Sequence, residues 1–292
     1  MKLKTLLTLG RTSNLPTVWS NVLAGAVLSG AAFGPVPIVV VLLCGSAFYE
    51  GGMFLNDAFD AEIDARERPE RPIPAGLVSR GTVSAIGFGL LFGGLMALLA
   101  ASFLHLTRPG HLATAAGIFT CLAVLIYNRW HKGHAWSPLV MGACRAGLYF
   151  TAALAVSPEL GRVVLIGAGA LWLYIVGLTH VARFETGKAL DKAWITAFVF
   201  APLFAAAPAL WEQKAPLPAL CFALLLGWSV RSLSFALKSG PGQIPRAVVR
   251  LIAGVSLIDA LFISLLGALP LVLLALGAFL LTLKWQKRIP GT

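Results

Sequence analysis

An all-α integral membrane protein of nine or ten spans is the fold class predicted for this chain, and three observations carry the prediction. Of its 292 residues, 58% are hydrophobic and only 12% are charged, with a mean hydropathy of +0.83. Soluble domains are about 45–50% apolar and about 25% charged. A soluble fold of this length must turn a sizeable polar shell to water, which this composition does not supply. Apolar runs recur at close to the ~20 residues needed to cross a bilayer. The basic residues are placed one-sidedly with respect to those runs.

Taken in order, residues 1–11 start basic, but their apolar core is too short for a signal peptide. Insertion is therefore expected through the first long helix. Candidate spans follow near 14–33, 36–55, 82–104, 112–128, 137–156, 161–181, 193–211, 216–237, 246–266 and 268–284. Only Gly267 and Pro270 divide the last two, so one span plus a re-entrant piece there would make the count nine. The chain holds no polar domain, long linker or low-complexity tract, and reads as a single domain over 1–292.

With the N-terminus inside, 18 of the 23 Lys and Arg fall in inner stretches, from Lys2, Lys4 and Arg11 to Lys284, Lys287 and Arg288. Three, Arg108, Arg162 and Lys214, fall outside, and Arg145 and Arg231 lie within spans. This split places the N-terminus and the 57–80 loop in the cytoplasm. The net charge of +11 is then explained by positive-inside bias and anionic lipid heads, with no call for nucleic acid. Cys44, Cys121, Cys144 and Cys221 sit singly in apolar runs, as small hydrophobes rather than disulfide or zinc partners.

Chemistry concentrates in one place. Seven of the twelve acids fall between Glu50 and Glu70. At ~100° per residue, Asn56, Asp60 and Asp64 succeed one another by ~40° along a helix, and Asp57 lies ~20° from Asp64. Four oxygen-bearing side chains thus share a face, while Glu62 points elsewhere. Such carboxylates repel one another and resist burial unless a cation joins them, and Mg²⁺ takes carboxylates together with phosphate oxygens. The competing reading is a solvated acidic helix end, ion-paired to Arg66, Arg68 and Arg71. Pro69, Pro72 and Pro74 end the helix and stiffen the loop that carries these arginines, whose forks suit phosphate. For any one of them, positive-inside anchoring is the plainer reading.

Asn56-Asp57-x-x-Asp60-x-x-x-Asp64, followed by Arg71-Pro72-Ile73-Pro74-Ala75-Gly76, resembles the first aspartate-rich motif of the UbiA superfamily of intramembrane prenyltransferases. The resemblance extends to chain length, to Arg11 and Asn21 around the first span, and to Tyr127-Asn128-Arg129 at the end of the fourth. It implies helices bundled around a central, membrane-open cavity in which two aspartate-rich motifs hold Mg²⁺ and a prenyl diphosphate. An allylic cation then alkylates an acceptor. It implies Asn56, Asp57, Asp60 and Asp64 as metal ligands, with Asp57, Asp60 and Asp64 catalytic. Arg71 and Arg129 are implied as diphosphate contacts with Lys132 beside them, and Tyr127 as a residue of the cavity mouth.

The second motif departs from the family pattern. Between Thr179 and Lys188 only Glu185 is acidic, so Glu185 is the one ligand expected from that side. Arg183 and Lys188 are fixed cations able to offset part of the lost metal charge. This altered motif, with the string from Thr12 to Gly25, is similar to the UbiA-like subgroup called EboC, which belongs to a bacterial metabolite operon.

Three further features are weighed. Arg145, inside an apolar run, is read as an interior group reaching towards phosphate, against snorkelling to the surface. Arg231 and Asp259 are expected to pair across helices. His131 and His134 flank Lys132 in a loop and make weak zinc evidence. The function expected is Mg²⁺-assisted transfer of a prenyl group to a lipophilic or aromatic acceptor. A non-catalytic protein of the same shape, binding or moving an isoprenoid or metabolite, and a plain secondary transporter are the alternatives.

Overall fold

The computed structural model describes residues 2–183, 190–238, 240 and 242–291, with the side chains of 190–193 left aside. Every regular element among them is helical: α1 (Leu3–Leu9), a 3₁₀ turn (Thr12–Asn14), α2 (Leu15–Leu28), α3 (Pro35–Glu67), α4 (Arg80–Phe103), α5 (Leu112–Trp130), α6 (Ser137–Leu154), α7 (Arg162–Arg183), a 3₁₀ stretch (Leu190–Phe200), α8 (Ala201–Gln213), α9 (Pro216–Ala236), α10 (Gln243–Leu265) and α11 (Leu269–Gln286). This is the expected all-α membrane architecture.

Eight helical segments among the described residues are long and apolar enough to cross a membrane, fewer than the nine or ten expected. The segments that fall short are α2 and α6. With 14 residues, α2 spans only ~21 Å, against a hydrocarbon core of ~30 Å. The 18 residues of α6 begin Ser137-Pro138 and are interrupted by Arg145, which dilutes their apolar character. Both lie inside the bundle, where protein rather than lipid surrounds them. Val18, Val22 and Ala24 of α2 and Tyr149 and Ala153 of α6 have no exposed surface. The most enclosed span is α10, with 78% of its apolar window buried.

The length of α3 positions the chemistry. Pro35 and Pro37 open it, where a missing N–H costs nothing, and Arg68-Pro69 ends it. At 33 residues it runs ~50 Å, so its final turns rise beyond the ~30 Å apolar layer. Asn56 lies about 32 Å from the start of the helix, which places the carboxylate face where the bundle meets the polar boundary. Close packing holds α3 upright. A Cβ on Gly51 would stand 2.9 Å from the carbonyl oxygen of Gly87 on α4, and one on Gly87 would meet Leu55 at 2.7 Å. On the same helix a Cβ on Gly94 would stand 2.8 Å from the Phe48 ring, whereas Gly89 and Gly93 face open space.

Candidate active-site cavity

A cavity of about 850 Å³ opens at the basic end of the bundle, lined by α3, α5, α6, α7, α10 and the segment before α2. Asn56, Asp57, Asp60 and Asp64 all face it, and each is less than a tenth exposed.

Burial of carboxylates requires partners, and the chain supplies them. Nη1 of Arg71 donates to Oδ1 of Asp57 at 3.2 Å and to Oδ2 of Asp64 at 2.9 Å. Nη2 of Arg11 donates to Oδ1 of Asn56 at 3.1 Å and to Oδ1 of Asp57 at 3.3 Å. Arg11 sits between α1 and the 3₁₀ turn with φ of 43°, a left-handed backbone that non-glycine residues seldom adopt. Asp60 faces the end of α5, with Nε2 of His131 at 3.3 Å and Nζ of Lys132 at 3.4 Å from its Oδ2. Asn56 donates to Oδ1 of Asn128 at 3.3 Å, and Asn128 donates to the Gly52 carbonyl at 2.9 Å, which ties α5 to α3. The Tyr127 ring stacks on His131 with centroids 4.9 Å apart, and Tyr127 lines the cavity.

Below this charged mouth the wall turns apolar, with Phe48, Val124, Leu148, Ile175, Ile252 and Val255. Arg145 interrupts it. Its Nη1 donates to Oδ1 of Asn21 at 3.0 Å, and its guanidinium lies 5.4 Å from the Tyr49 ring centroid. Asn21 in turn donates to both oxygens of Asp259, at 3.1 and 2.9 Å, and the hydroxyl of Tyr149 donates to the same carboxylate.

Several expected residues are placed otherwise. Arg129 is exposed and off the cavity, its guanidinium 5.9 Å from the Trp130 ring centroid, because the phase of α5 turns Asn128 inward instead. Arg183 donates to the backbone carbonyls of His134 and Ala135 and, at 2.6 Å, to the Ser137 hydroxyl, which fastens the end of α7 to the α5–α6 loop. Arg145 is interior, as expected, but its partner is Asn21. No ion pair joins Arg231 to Asp259 among the described residues: Asp259 faces α2 and α6, whereas Arg231 is exposed. Of the three loop arginines, Arg71 makes the direct ion pairs with the carboxylates. Glu185 and Lys188 lie outside the described residues. Arg11, His131 and Asn128 join the site without having been singled out as its members. Their signal was proximity in sequence to residues that were: Arg11 beside the first span, and Asn128 and His131 flanking the Tyr127–Lys132 stretch.

The donor set can be tested against Mg²⁺. Among the described residues, no three His, Cys, Asp or Glu side chains close around one point. Asp57 and Asp64 nevertheless share one cation already, the Arg71 nitrogen, and all the donors on this face are hard oxygens. An open oxygen face suits a cation that keeps several waters and takes phosphate oxygens as its remaining ligands.

Residues 17–241 match the sequence signature of the UbiA prenyltransferase family. Digeranylgeranylglyceryl phosphate synthase of Metallosphaera sedula is 29% identical over 161 residues, which cover 55% of this chain and 44% of that protein. The enzyme of the same name from Ignicoccus hospitalis is 32% identical over 147 residues, 44% of this chain and 47% of that one. The matched stretches thus span less than half the length of these relatives. Among solved structures, a UbiA homologue of Archaeoglobus fulgidus bound to GPP and Mg²⁺ superposes with a TM-score of 0.62 at 13% identity, covering 92% of this chain and 99% of that one. A digeranylgeranylglyceryl phosphate synthase structure gives 0.62 at 19% identity, covering 90% and 97%. At these identities the superpositions establish the fold.

Proposed function

The chain belongs to the UbiA prenyltransferase family, and from that premise we propose that it transfers a prenyl group from a prenyl diphosphate to a lipophilic or aromatic acceptor within the membrane. One observation carries the reading: a carboxylate face with its paired cations stands at the mouth of a cavity whose deeper wall is apolar.

The division of the cavity suits the two halves of such a donor. The charged mouth takes the diphosphate, and the apolar wall takes the prenyl chain and shields the reacting carbon from water. Mg²⁺, held by Asn56, Asp57, Asp60 and Asp64, would neutralise charge developing on the diphosphate. As the allylic C–O bond breaks, the diphosphate departs with the electron pair. Arg71, Arg11 and Lys132 are the chain's own cations placed for those oxygens, once they exchange their carboxylate partners for phosphate. Tyr127, Tyr49 and Phe48 line the cavity and present π faces on which a transient carbocation is stabilised. The acceptor's electron pair forms the new bond and the acceptor loses a proton. The one-sided basic charge favours a cytoplasmic N-terminus and a cytoplasmic 57–80 loop, which gives a diphosphate donor access from that side.

A second reading, an isoprenoid-binding protein without transfer, is favoured by the thinned second motif, where Glu185 is the lone acid between Thr179 and Lys188. Purified protein incubated with labelled prenyl diphosphates and Mg²⁺ separates the two. Release of diphosphate with a new prenylated product, lost in Asp60→Asn, supports transfer. Retention of intact donor by the wild type sinks it.

A further inference from the structure

The 46 residues from Gln213 to Ile258 contain five cations and not one acid. Four of the five, Arg231, Lys238, Arg246 and Arg250, gather where α9 ends and α10 begins. The ring of Phe235 is the meeting point of three of them, with the Arg246 guanidinium 4.4 Å, Lys238 Nζ 5.1 Å and the Arg250 guanidinium 5.4 Å from its centroid. Arg250 also lies face-on to Trp228 at 3.8 Å, and the Trp228 indole is fixed by its own hydrogen bond to the Arg250 carbonyl at 2.8 Å. Arg231 and Arg246 both act on Arg250 as like charges. None of the ion pairs among the described residues involves any of the four.

Ordinary positive-inside cations extend into water and need no partner. Arg250 does not. Its Nε and Nη2 are buried and have no hydrogen-bond partner among the described residues, although a buried guanidinium donor ordinarily has one. The first turn of α10 adds to the imbalance. It begins at Gly242 with no side-chain cap, so the positive end of a 23-residue helix dipole points into the same cluster. Stacked aromatics hold the guanidiniums in place by cation–π contact, but they supply no negative charge. Every local feature calls for an anion.

We propose that this cluster is a binding site for the phosphate of an anionic phospholipid, separate from the cavity. None of the four cations lines the cavity, which Pro245, Val248 and Ile252 reach from other faces of α10. A lipid suits the place better than a soluble anion. Arg250 lies seven residues into α10, ~10 Å along the helix from its start, at headgroup depth. Val230 and Leu226 on α9, 52% and 40% exposed, continue the site as an apolar face along which acyl chains lie.

The test uses full-length protein in nanodiscs of phosphatidylcholine with or without phosphatidylglycerol, and counts by native mass spectrometry the lipids retained on release. The wild type is expected to retain phosphatidylglycerol selectively, with retention falling about fivefold for each charge removed, as in Arg246→Gln and Arg250→Gln. Arg250→Lys keeps the charge but loses the fork and should fall between. Arg129→Gln removes an exposed cation from the same end of the bundle and should retain as the wild type does. Unchanged helical circular dichroism guards against misfolding, and Arg246→Gln and Arg250→Gln each carry the test if the other fails to fold. Equal retention of both lipids by the wild type, or equal losses in Arg129→Gln and Arg250→Gln, would overturn the proposal. So would displacement of phosphatidylglycerol by millimolar inorganic phosphate, which would make the occupant a soluble anion.

Discussion

The guanidinium of Arg71 stands 2.9 Å from the carboxylate of Asp64, across the proline turn that ends α3. The same nitrogen reaches Asp57, so one side chain joins two turns of the helix to the loop beyond. Arg71→Gln leaves two buried carboxylates facing each other. The expected result is a loss of about 1–3 kcal/mol in stability, read as a lower unfolding temperature in detergent. If diphosphate is the ligand, kcat/KM falls roughly 10²-fold as well. Arg71→Lys restores charge without the fork and should recover stability better than activity.

Contact with Asp60, not exposure, separates the basic residues around α5. Lys132 and His131 contact Asp60, whereas Arg129 lies on the Trp130 ring outside the cavity. Lys132→Ala should weaken prenyl diphosphate binding about tenfold, a common loss for one charge-assisted contact. Arg129→Ala should bind as the wild type does. Titration of both variants with a labelled donor decides, and equal losses would mean that α5 is rotated from the phase described above.

The hydrogen-bonded chain from Arg145 through Asn21 to Asp259 and Tyr149 crosses three helices inside the bundle. Asp259→Ala strands Asn21 and Tyr149 without their acceptor. A destabilisation of about 3 kcal/mol is expected. Asp259→Asn keeps the volume and an acceptor oxygen and should cost less. Thermal unfolding of both variants in the same detergent measures the difference.

Helix contact gives a control within one element. Gly87→Ala puts a methyl 2.7 Å from Leu55, while Gly93→Ala puts one into open space. The first should destabilise by about 1–3 kcal/mol and the second should be neutral. Equal effects would show that helix propensity, not the α3–α4 approach, governs both positions.

How much of this was legible beforehand differs from residue to residue. The face formed by Asn56, Asp57, Asp60 and Asp64 was readable because a polar stripe on an apolar helix states its own phase. For α5 no such stripe exists. Leu122 and Trp130 are exposed while Asn128 is buried, and lipid accepts apolar side chains as readily as the interior does, so Arg129 and Asn128 could not be told apart. Arg231 and Asp259 look like a pair as lone charges in apolar runs, but they leave their helices on different sides. The span count was overestimated because α2 and α6, shielded by protein, need not be long or apolar enough to cross lipid unaided. Arg11 was visible only as a neighbour of the first span, since its place depends on a left-handed residue that the local sequence does not announce.

Among the described residues, the cavity lining contains five carboxylates, Asp57, Asp60, Asp64, Glu67 and Glu70, and five permanent cations, Arg11, Arg68, Arg71, Lys132 and Arg145. In a chain with a net charge of +11, these described lining residues are balanced, His131 aside. The balanced lining adds little field of its own, so the long-range pull on a polyanion comes from the basic end of the bundle around the mouth. Under the proposed function, the donor is drawn to that end by the surrounding cations and then held at contact range by the lining. The mouth then works as a latch of exchangeable counterions, and salt in the surrounding water should slow the donor's arrival more than it speeds its release.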